Sequence, residues 1–433
     1  MLKIKKKKIK QTFASLKIRN YRLYFFGQVI STTGTWMQVI GQSWLVLTLT
    51  KSGTALGIVA ALQFLPVLLL GPWGGVIIDR FPKRRLLYIT QSVSGVLALI
   101  LGVLVLTHTA TLWMVDIMAF CLGLINAIDS PTRQTFITEM VGEENLLNAV
   151  SLNAVQFNIT RVLGPTLAAL LIVGVGLAPL FFFNAFSYIA VLISLFMMNT
   201  KELHIQPIVK KVSGAVAESI RYIKKSVAIR NTLLMMAIIG VFTFEFSVSL
   251  PLLAQFTFHG TATTYALLTG GIGVGSIIGG IVTARYKQTS LKELIKIAFF
   301  FGISMLLFSV MPTLPLALVM TVIVGYFSIN FMSLAKVILQ METDPSMRGR
   351  VMSFFVMCYL GSTPIGGPII GWVSQVASPR AALAVGGAAA LLAAGLGYLS
   401  LRNVKLANAG TITASLKILE DEALAEEERS GKF

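Results

Sequence analysis

Long apolar runs alternate with short polar turns along almost the whole chain. A membrane-spanning helix needs about 20 mostly apolar residues. The pattern predicts twelve such helices, at 21–48, 55–78, 86–107, 112–134, 148–173, 177–199, 231–257, 263–284, 294–312, 315–338, 351–377 and 381–402. Proline and glycine recur inside them, as at Pro66, Pro72, Pro165, Pro251 and Pro368, and in a bilayer these residues are tolerated and often mark kinks. One longer polar connection interrupts the alternation, at about 200–230. Within it Val216, Ile220, Ile223 and Val227 recur at helical spacing, with Glu218, Arg221, Lys224 and Lys225 on the other faces. That pattern predicts a short amphipathic helix lying on the membrane surface. The expected organisation is a basic terminus at 1–20, a six-helix bundle at 21–199, the linker at 200–230, a second six-helix bundle at 231–403 and a polar tail at 404–433.

Composition changes little in this picture and excludes much. Of 433 residues, 55% are hydrophobic and 12% charged, against roughly 25% charged in a soluble domain. Too few charges remain to wet a globular surface of this size, so the solvent for most of the chain is lipid. The formal net charge of +18 raises the question of nucleic acid. The basic residues, however, are not a stripe interleaved with exposed aromatics; they fall in short clusters between apolar runs, as topology signals do. Nine precede the first span, from Lys3 to Arg22. Others are Arg80, Lys83, Arg84 and Arg85 after span two; Lys201, Lys210, Lys211, Arg221, Lys224, Lys225 and Arg230 after span six; Arg285, Lys287 and Lys292 after span eight; and Arg348 and Arg350 after span ten. The alternate turns hold only Lys51 and Arg380. The positive-inside rule then places both termini in the cytoplasm. The basic start precedes an apolar run too long for a signal peptide and reads as cytoplasmic. Cys121 and Cys358 lie inside apolar segments, and His108, His204 and His259 share no motif. Neither set offers metal-ligand spacing. The glycines at 271, 273, 275, 279 and 280 echo a nucleotide loop, but they lie inside an apolar helix with no Lys-Ser/Thr after them. No cofactor or ATP site is expected.

The two halves echo one another. Gln134, Asn148-Ala149-Val150-Ser151 and Gly164-Pro165 in the first correspond to Gln340, Gly349-Arg350-Val351-Met352-Ser353 and Gly367-Pro368 in the second, with Pro165 and Pro368 offset by 203 residues. Duplication of a six-helix unit predicts such an offset, and parallel six-helix halves suit alternating-access transport.

The turn Gly75-Val-Ile-Ile-Asp79-Arg80-Phe-Pro-Lys83-Arg84 resembles the signature Gly-x-x-x-Asp-Arg-x-Gly-Arg-Arg of the major facilitator superfamily, with Pro82 in place of the second glycine. The stretches around Pro131-Thr-Arg133-Gln134, Asn158-x-x-Arg161-x-x-Gly164-Pro165 and Arg348-Gly349-Arg350-Val351-Met352-Ser353 resemble a narrower branch that includes enterobactin exporters and drug:proton antiporters of the third type. The second-half copy of the loop, Gly280 to Arg285, has lost its acid, and the antiporter motif Gly-Pro-x-x-Gly-Gly stands as Gly164-Pro165-Thr-Leu-Ala168-Ala169. The resemblance implies an all-α membrane protein of twelve transmembrane helices in two pseudo-symmetric bundles. It further implies a cavity lined by helices one, four, seven and ten, and a multi-pass protein of a cell inner (plasma) membrane.

A few residues could carry the chemistry. Glu245 lies mid-way along predicted span seven, among Phe242, Phe244 and Phe246. A charge at the bilayer centre costs at least about 2.5–3.5 kcal/mol, so it requires a partner, a wet cavity or a proton. It is the candidate proton-coupling acid. Gly75, Asp79, Arg80, Lys83 and Arg84 form a candidate cytoplasmic latch, with Glu139 or Asp129 as the acid for Lys83. The resemblance implies that Asp79 faces the start of helix eleven. Arg161, the other deep charge, is open to three readings: a pair with Glu245, an anion site, or a structural and gating role shared with the resembling branch. Asp129 and Arg133, four apart, can pair along one turn. Thr32, Thr33, Trp36 and Gln38 on helix one, Asn126 on four, Phe242 and Phe246 on seven and Asn330 on ten are candidate cavity residues. As a set, aromatic and amide with one acid, they suit an amphipathic organic molecule better than a sugar. The expected function is secondary active transport: proton-coupled export of a drug, siderophore or metabolite by a monomer, with small molecule, protons and lipid as its partners. Uptake or lipid flipping on the same scaffold is the alternative. A non-transporting receptor or assembly factor is a rival that has no need of a mid-membrane acid. No nucleophile–base set supports an enzyme.

Overall fold

The computed structural model describes residues 14–204, 215–283, 290–344 and 347–402; for 71–80, 147 and 215–217 it describes the backbone alone. Among the described residues the regular structure is entirely helical. The first half comprises α1 (Arg19–Thr50), α2 (Gly53–Arg80), α3 (Lys83–Leu106), α4 (112–141), α5 (143–175) and α6 (Ala178–Phe196). A linker helix α7 (Ala215–Lys225) follows. The second half comprises α8 (Val227–Phe242), α9 (Phe246–Leu252), α10 (Ala262–Thr283), α11 (Leu291–Ser309), α12 (Leu314–Glu342), α13 (Arg348–Tyr359), α14 (Thr363–Val376) and α15 (Pro379–Arg402).

Local sequence explains where several of these begin and end. Ser52, Ser226 and Ser290 stand just before α2, α8 and α11, and each side-chain oxygen accepts a backbone N–H of the first turn. Each thereby satisfies one of the donors that a helix start leaves orphaned. Helix α4 runs on past the expected end near 134 and bends into α5 at Gly142, whose φ of 69° and ψ of 177° suit a residue without a Cβ. At the opposite turns Lys51, His108 and His259 take positive φ, the left-handed geometry that closes a helix C-terminus.

Two expected spans are interrupted. Span seven, expected as 231–257, breaks between Phe242 and Phe246, where Glu245 takes ψ of 45°, and its last turn widens to a π-helix at Leu253–Thr257. Span eleven, expected as 351–377, breaks between Tyr359 and Thr363, in the stretch Leu360-Gly361-Ser362 that precedes Pro364. A proline has no N–H to donate and biases the residue before it away from the α region. Such interruptions are tolerated at membrane depth where protein buries them.

Ten helices among the described residues are long and apolar enough to cross a membrane. Their burial is inverted relative to a protein in water. Large apolar side chains such as Leu170, Val173, Phe186, Ile193 and Phe196 are exposed, while Gln28, Gln38, Gln42, Gln91, Asp129 and Asn184 are buried. Within the first half α1 packs on α6 and on α4–α5, and α3 packs on α4 and α6; within the second, α12 packs on α8, α10 and α11. The halves meet along two seams, α2 against α14 and α5 against α10.

The α2–α14 seam is built of glycine from both sides. A Cβ on Gly57 would lie 2.2 Å from the carbonyl oxygen of Gly367, and one on Gly371 would lie 2.2 Å from that of Gly53. Glycines spaced by four on each helix bring backbone against backbone, the close approach that small residues permit in membranes. At the Lys51 end of the seam the Ser52 hydroxyl donates to Gln375 Oε1 at 2.8 Å, and the Thr54 amide donates to the same oxygen at 3.2 Å.

Candidate transport site

The polar interior of the first half is built around one buried ion pair. Asp129 on α4 pairs with Arg133 one turn on, Oδ2 to Nε at 2.7 Å. Its other oxygen accepts from Thr90 Oγ1 at 2.6 Å and Gln91 Nε2 at 2.8 Å, both on α3. Arg133 Nη1 donates to Gln28 Oε1 on α1 at 3.1 Å. A carboxylate held by a guanidinium and two neutral donors is satisfied, which a buried charge requires. The pair lines a small cavity together with Gln38, Gln42, Gln63, Gln91, Asn126 and Asn184, among others. Gln38 Oε1 accepts from Asn184 Nδ2 at 2.6 Å. Gln38 and Asn126 therefore share the interior of the first half, away from the expected acid.

That acid, Glu245, sits in the break between α8 and α9. It is 3% exposed. Its carbonyl oxygen accepts the amides of Val248 and Ser249 and starts α9. Its carboxyl lies against the first turn of α14, where a Cβ on Gly366 would sit 3.0 Å from Oε1. Oε1 has no hydrogen-bond partner among the described residues. The break itself is held from α15, where the Gly386 carbonyl accepts from Thr243 Oγ1 at 2.8 Å. Phe244 stacks edge-on against Tyr359 of α13 at 5.4 Å and against Phe246 at 6.4 Å.

Arg161 lies on α5, half-buried. Its guanidinium stands over the Trp36 ring at 5.7 Å, and Trp36 in turn meets Phe157 edge-on at 5.9 Å. No carboxylate pairs with Arg161 among the described residues, so the structure does not bring it together with Glu245. Asn330 is 1% exposed and lies between α10 and α12, bonded to Thr283 and to the Tyr326 carbonyl. Phe242 is half-buried and Phe246 buried.

At the Lys83 end, Lys83 Nζ lies 3.5 Å from Glu139 Oε1. Arg84 reaches instead to α6, donating to the Leu195 carbonyl through Nε at 2.9 Å and Nη2 at 2.6 Å. It thus ties α3 to the end of α6, a favourable place for a cation. The side chains of Gly75, Asp79 and Arg80 lie outside the described residues. Linker helix α7 is fastened to the start of α13 and to the turn before it, Arg350 Nη1 to Glu218 Oε2 at 2.5 Å and Tyr222 OH to Asp344 Oδ2 at 3.0 Å.

Sequence reasoning did not find Thr90, Gln91 or Gln28 as partners of the Asp129–Arg133 pair, because no spacing links residues on different spans. It also missed the Gly53, Gly57, Gly367 and Gly371 seam, although glycines four apart on apolar helices were a readable signal.

A sequence model of the family described as "Transmembrane secretion effector" matches residues 10–432. The chain belongs to this family, a branch of the major facilitator superfamily. Among its relatives is the staphyloferrin A transporter of Staphylococcus aureus, 28% identical over 358 residues, 80% of this chain and 87% of that protein. The enterobactin exporter EntS of Salmonella choleraesuis is 21% identical over 316 residues, 72% of this chain and 76% of that one. Of solved structures, a bacterial homologue of the iron transporter ferroportin in an inward-facing state superimposes with a TM-score of 0.70 at 15% identity, covering 88% of this chain and 98% of that one. That likeness shows a shared fold. As a member of this transporter family the chain is a multi-pass membrane protein and a carrier of small molecules, not an enzyme.

Proposed function

We propose that this protein is a proton-coupled exporter of a small amphipathic molecule, a siderophore or drug, working by alternating access in a plasma membrane. The observation that carries the reading is the placement of Glu245. Successive residues of α14 meet two different things: Gly366 bounds the Glu245 carboxyl, and Gly367 meets Gly57 across the seam between the halves. A proton gained or lost at Glu245 therefore acts on the helix that closes the seam. Lys83 and Glu139, with Asp79 and Arg80, are the latch at the opposite end.

Two helices complete the set of twelve spans in two six-helix bundles, divided by a linker at 200–230. Helix α1 is 32 residues long, ample for a bilayer. Its hydropathy is low because Gln28, Ser31, Thr33, Gln38, Gln42 and Ser43 face inward. Helix α11 carries Lys292, Glu293 and Lys296 in its opening turns and is mostly apolar from Ile297 to Ser309, so its charges belong at an interface. Basic clusters place the termini and the Lys83 end in the cytoplasm and the glycine seam toward the outside. In that orientation the closed seam corresponds to a state open to the inside.

Reconstitution into liposomes tests this. Acid-loaded vesicles should accumulate at least one solute from a panel of dyes and siderophores, and a protonophore should abolish the accumulation. Flux that ignores the pH gradient, flux only in the opposite direction, or movement of lipids alone would each sink the reading.

A further inference from the structure

The second deep charge points to what the cargo carries. Arg161 is a cation inside the membrane-spanning part of the chain with no ion pair and no hydrogen bond recorded among the described residues. A half-buried, unpaired charge at membrane depth is costly, so a partner there is favoured. Neither Asp129 nor Glu245 has been spent on it: the first is held by Arg133, Thr90 and Gln91, and the second rests on α14. What Arg161 does have is a ring. Held over the Trp36 ring, the guanidinium has N–H groups without a hydrogen bond among the described residues, and such a fork matches a planar oxyanion two bonds at a time.

The position also fits a substrate contact. Trp36 and Arg161 belong to the first half, yet Arg161 lies on the seam with the second: a Cβ on Gly273 of α10 would sit 3.1 Å from the Arg161 carbonyl oxygen. Phe157 extends the Trp36 wall. The cation thus sits beside first-half rings at the seam between the halves, where a cargo passes as the halves rock.

We propose that Arg161, stacked on Trp36 between the halves, is an anion-reading site, and that the cargo joins a carboxylate or similar planar oxyanion to an apolar ring or chain. This inference rests on the transport reading and narrows its substrate class. It predicts that cationic amphiphiles are poor cargo.

Fluorescein and rhodamine 6G share a xanthene scaffold, but the first carries a free carboxylate and the second an ester and a positive charge. Binding of each to the full-length protein in phosphatidylcholine nanodiscs is read by fluorescence anisotropy, against empty discs. Wild type should bind fluorescein at least roughly tenfold more tightly than rhodamine 6G, R161Q should lose about that factor for fluorescein alone, and R161K should lose less. The wild-type comparison stands even if R161Q misfolds. Equal binding of the two dyes, binding of neither, or preference for rhodamine 6G overturns the inference, as does a folded R161Q that binds fluorescein like wild type. Proteoliposome transport separates the two readings. Arg161-dependent fluorescein binding without any proton-driven flux would leave the anion site standing and remove the transporter reading. Proton-driven flux with no dye preference would do the reverse.

Discussion

Replacing Glu245 by Gln is expected to uncouple transport from protons while leaving the path for cargo intact. Gln keeps the shape of the side chain against Gly366, so α14 keeps its seat. What it loses is the exchangeable proton. Accumulation driven by a pH gradient should fall to the level of wild type treated with protonophore, whereas solute-for-solute exchange across the same vesicles continues. A coupling free energy of roughly 1–3 kcal/mol between the proton and cargo sites corresponds to a 5- to 150-fold change in accumulation. The paired measurement decides between a coupling role and a packing role. A packing role would lower both activities together, and full gradient-driven accumulation in the Gln variant would end the assignment.

The second large effect is expected at the glycine seam. A Cβ on Gly57 would meet the Gly367 carbonyl oxygen at 2.2 Å, its carbon at 2.6 Å and Pro368 Cα at 2.9 Å, all backbone. Nothing there can rotate aside, so the helices must part. A Cβ on Gly367 has its nearest neighbour, the Gly57 carbonyl oxygen, at 2.9 Å. Gly57→Leu should therefore act more strongly than Gly367→Ala. Overpacking a close contact costs about 1–3 kcal/mol. Applied to one of two alternating states, that shifts their populations by roughly 5- to 150-fold. The variant should remain folded and inserted, lose most of its turnover, and expose the Lys51 end of the seam to thiol reagents when cysteines are placed there. Wild-type turnover in Gly57→Leu would mean that the seam need not close during transport.

Much of this architecture is legible in the chain because the bilayer simplifies the code. An apolar run of adequate length has to be a spanning helix, so ten of the twelve expected spans follow without knowledge of packing. The linker helix is legible for a similar reason: Ile220 and Ile223 against Glu218 and Lys224 mark a one-sided surface, and the helix at Ala215–Lys225 follows. The breaks at Glu245 and at Gly361-Ser362 are not legible in this way. Hydropathy reports what faces lipid, and a buried break leaves that average unchanged. The interior network is hidden for a different reason. Thr90, Gln91 and Gln28 look like ordinary weakly polar residues until folding brings α1, α3 and α4 around Asp129. Helix α1 shows the cost of the simplification: its buried glutamines, which build the first-half interior, are what make it look less like a spanning helix. The placement of Arg161 lies between these cases. Its depth can be read from the sequence, but its lack of an acid partner emerges only from the folded arrangement.

The claim on which the rest depends is that the halves rock about their central seam, and interspin distances test it most directly. Lys51 and Val376 are exposed beside the Ser52–Gln375 contact, and Arg85 and Ser353 are exposed at the opposite end. Spin labels at each pair, read by double electron–electron resonance in nanodiscs, should give two distances whose weights change with pH or added cargo. The Lys51–Val376 pair should lengthen under the conditions that shorten the Arg85–Ser353 pair. A single fixed distance at both ends under all conditions, or changes of the same sign at both, would contradict alternating access in this protein.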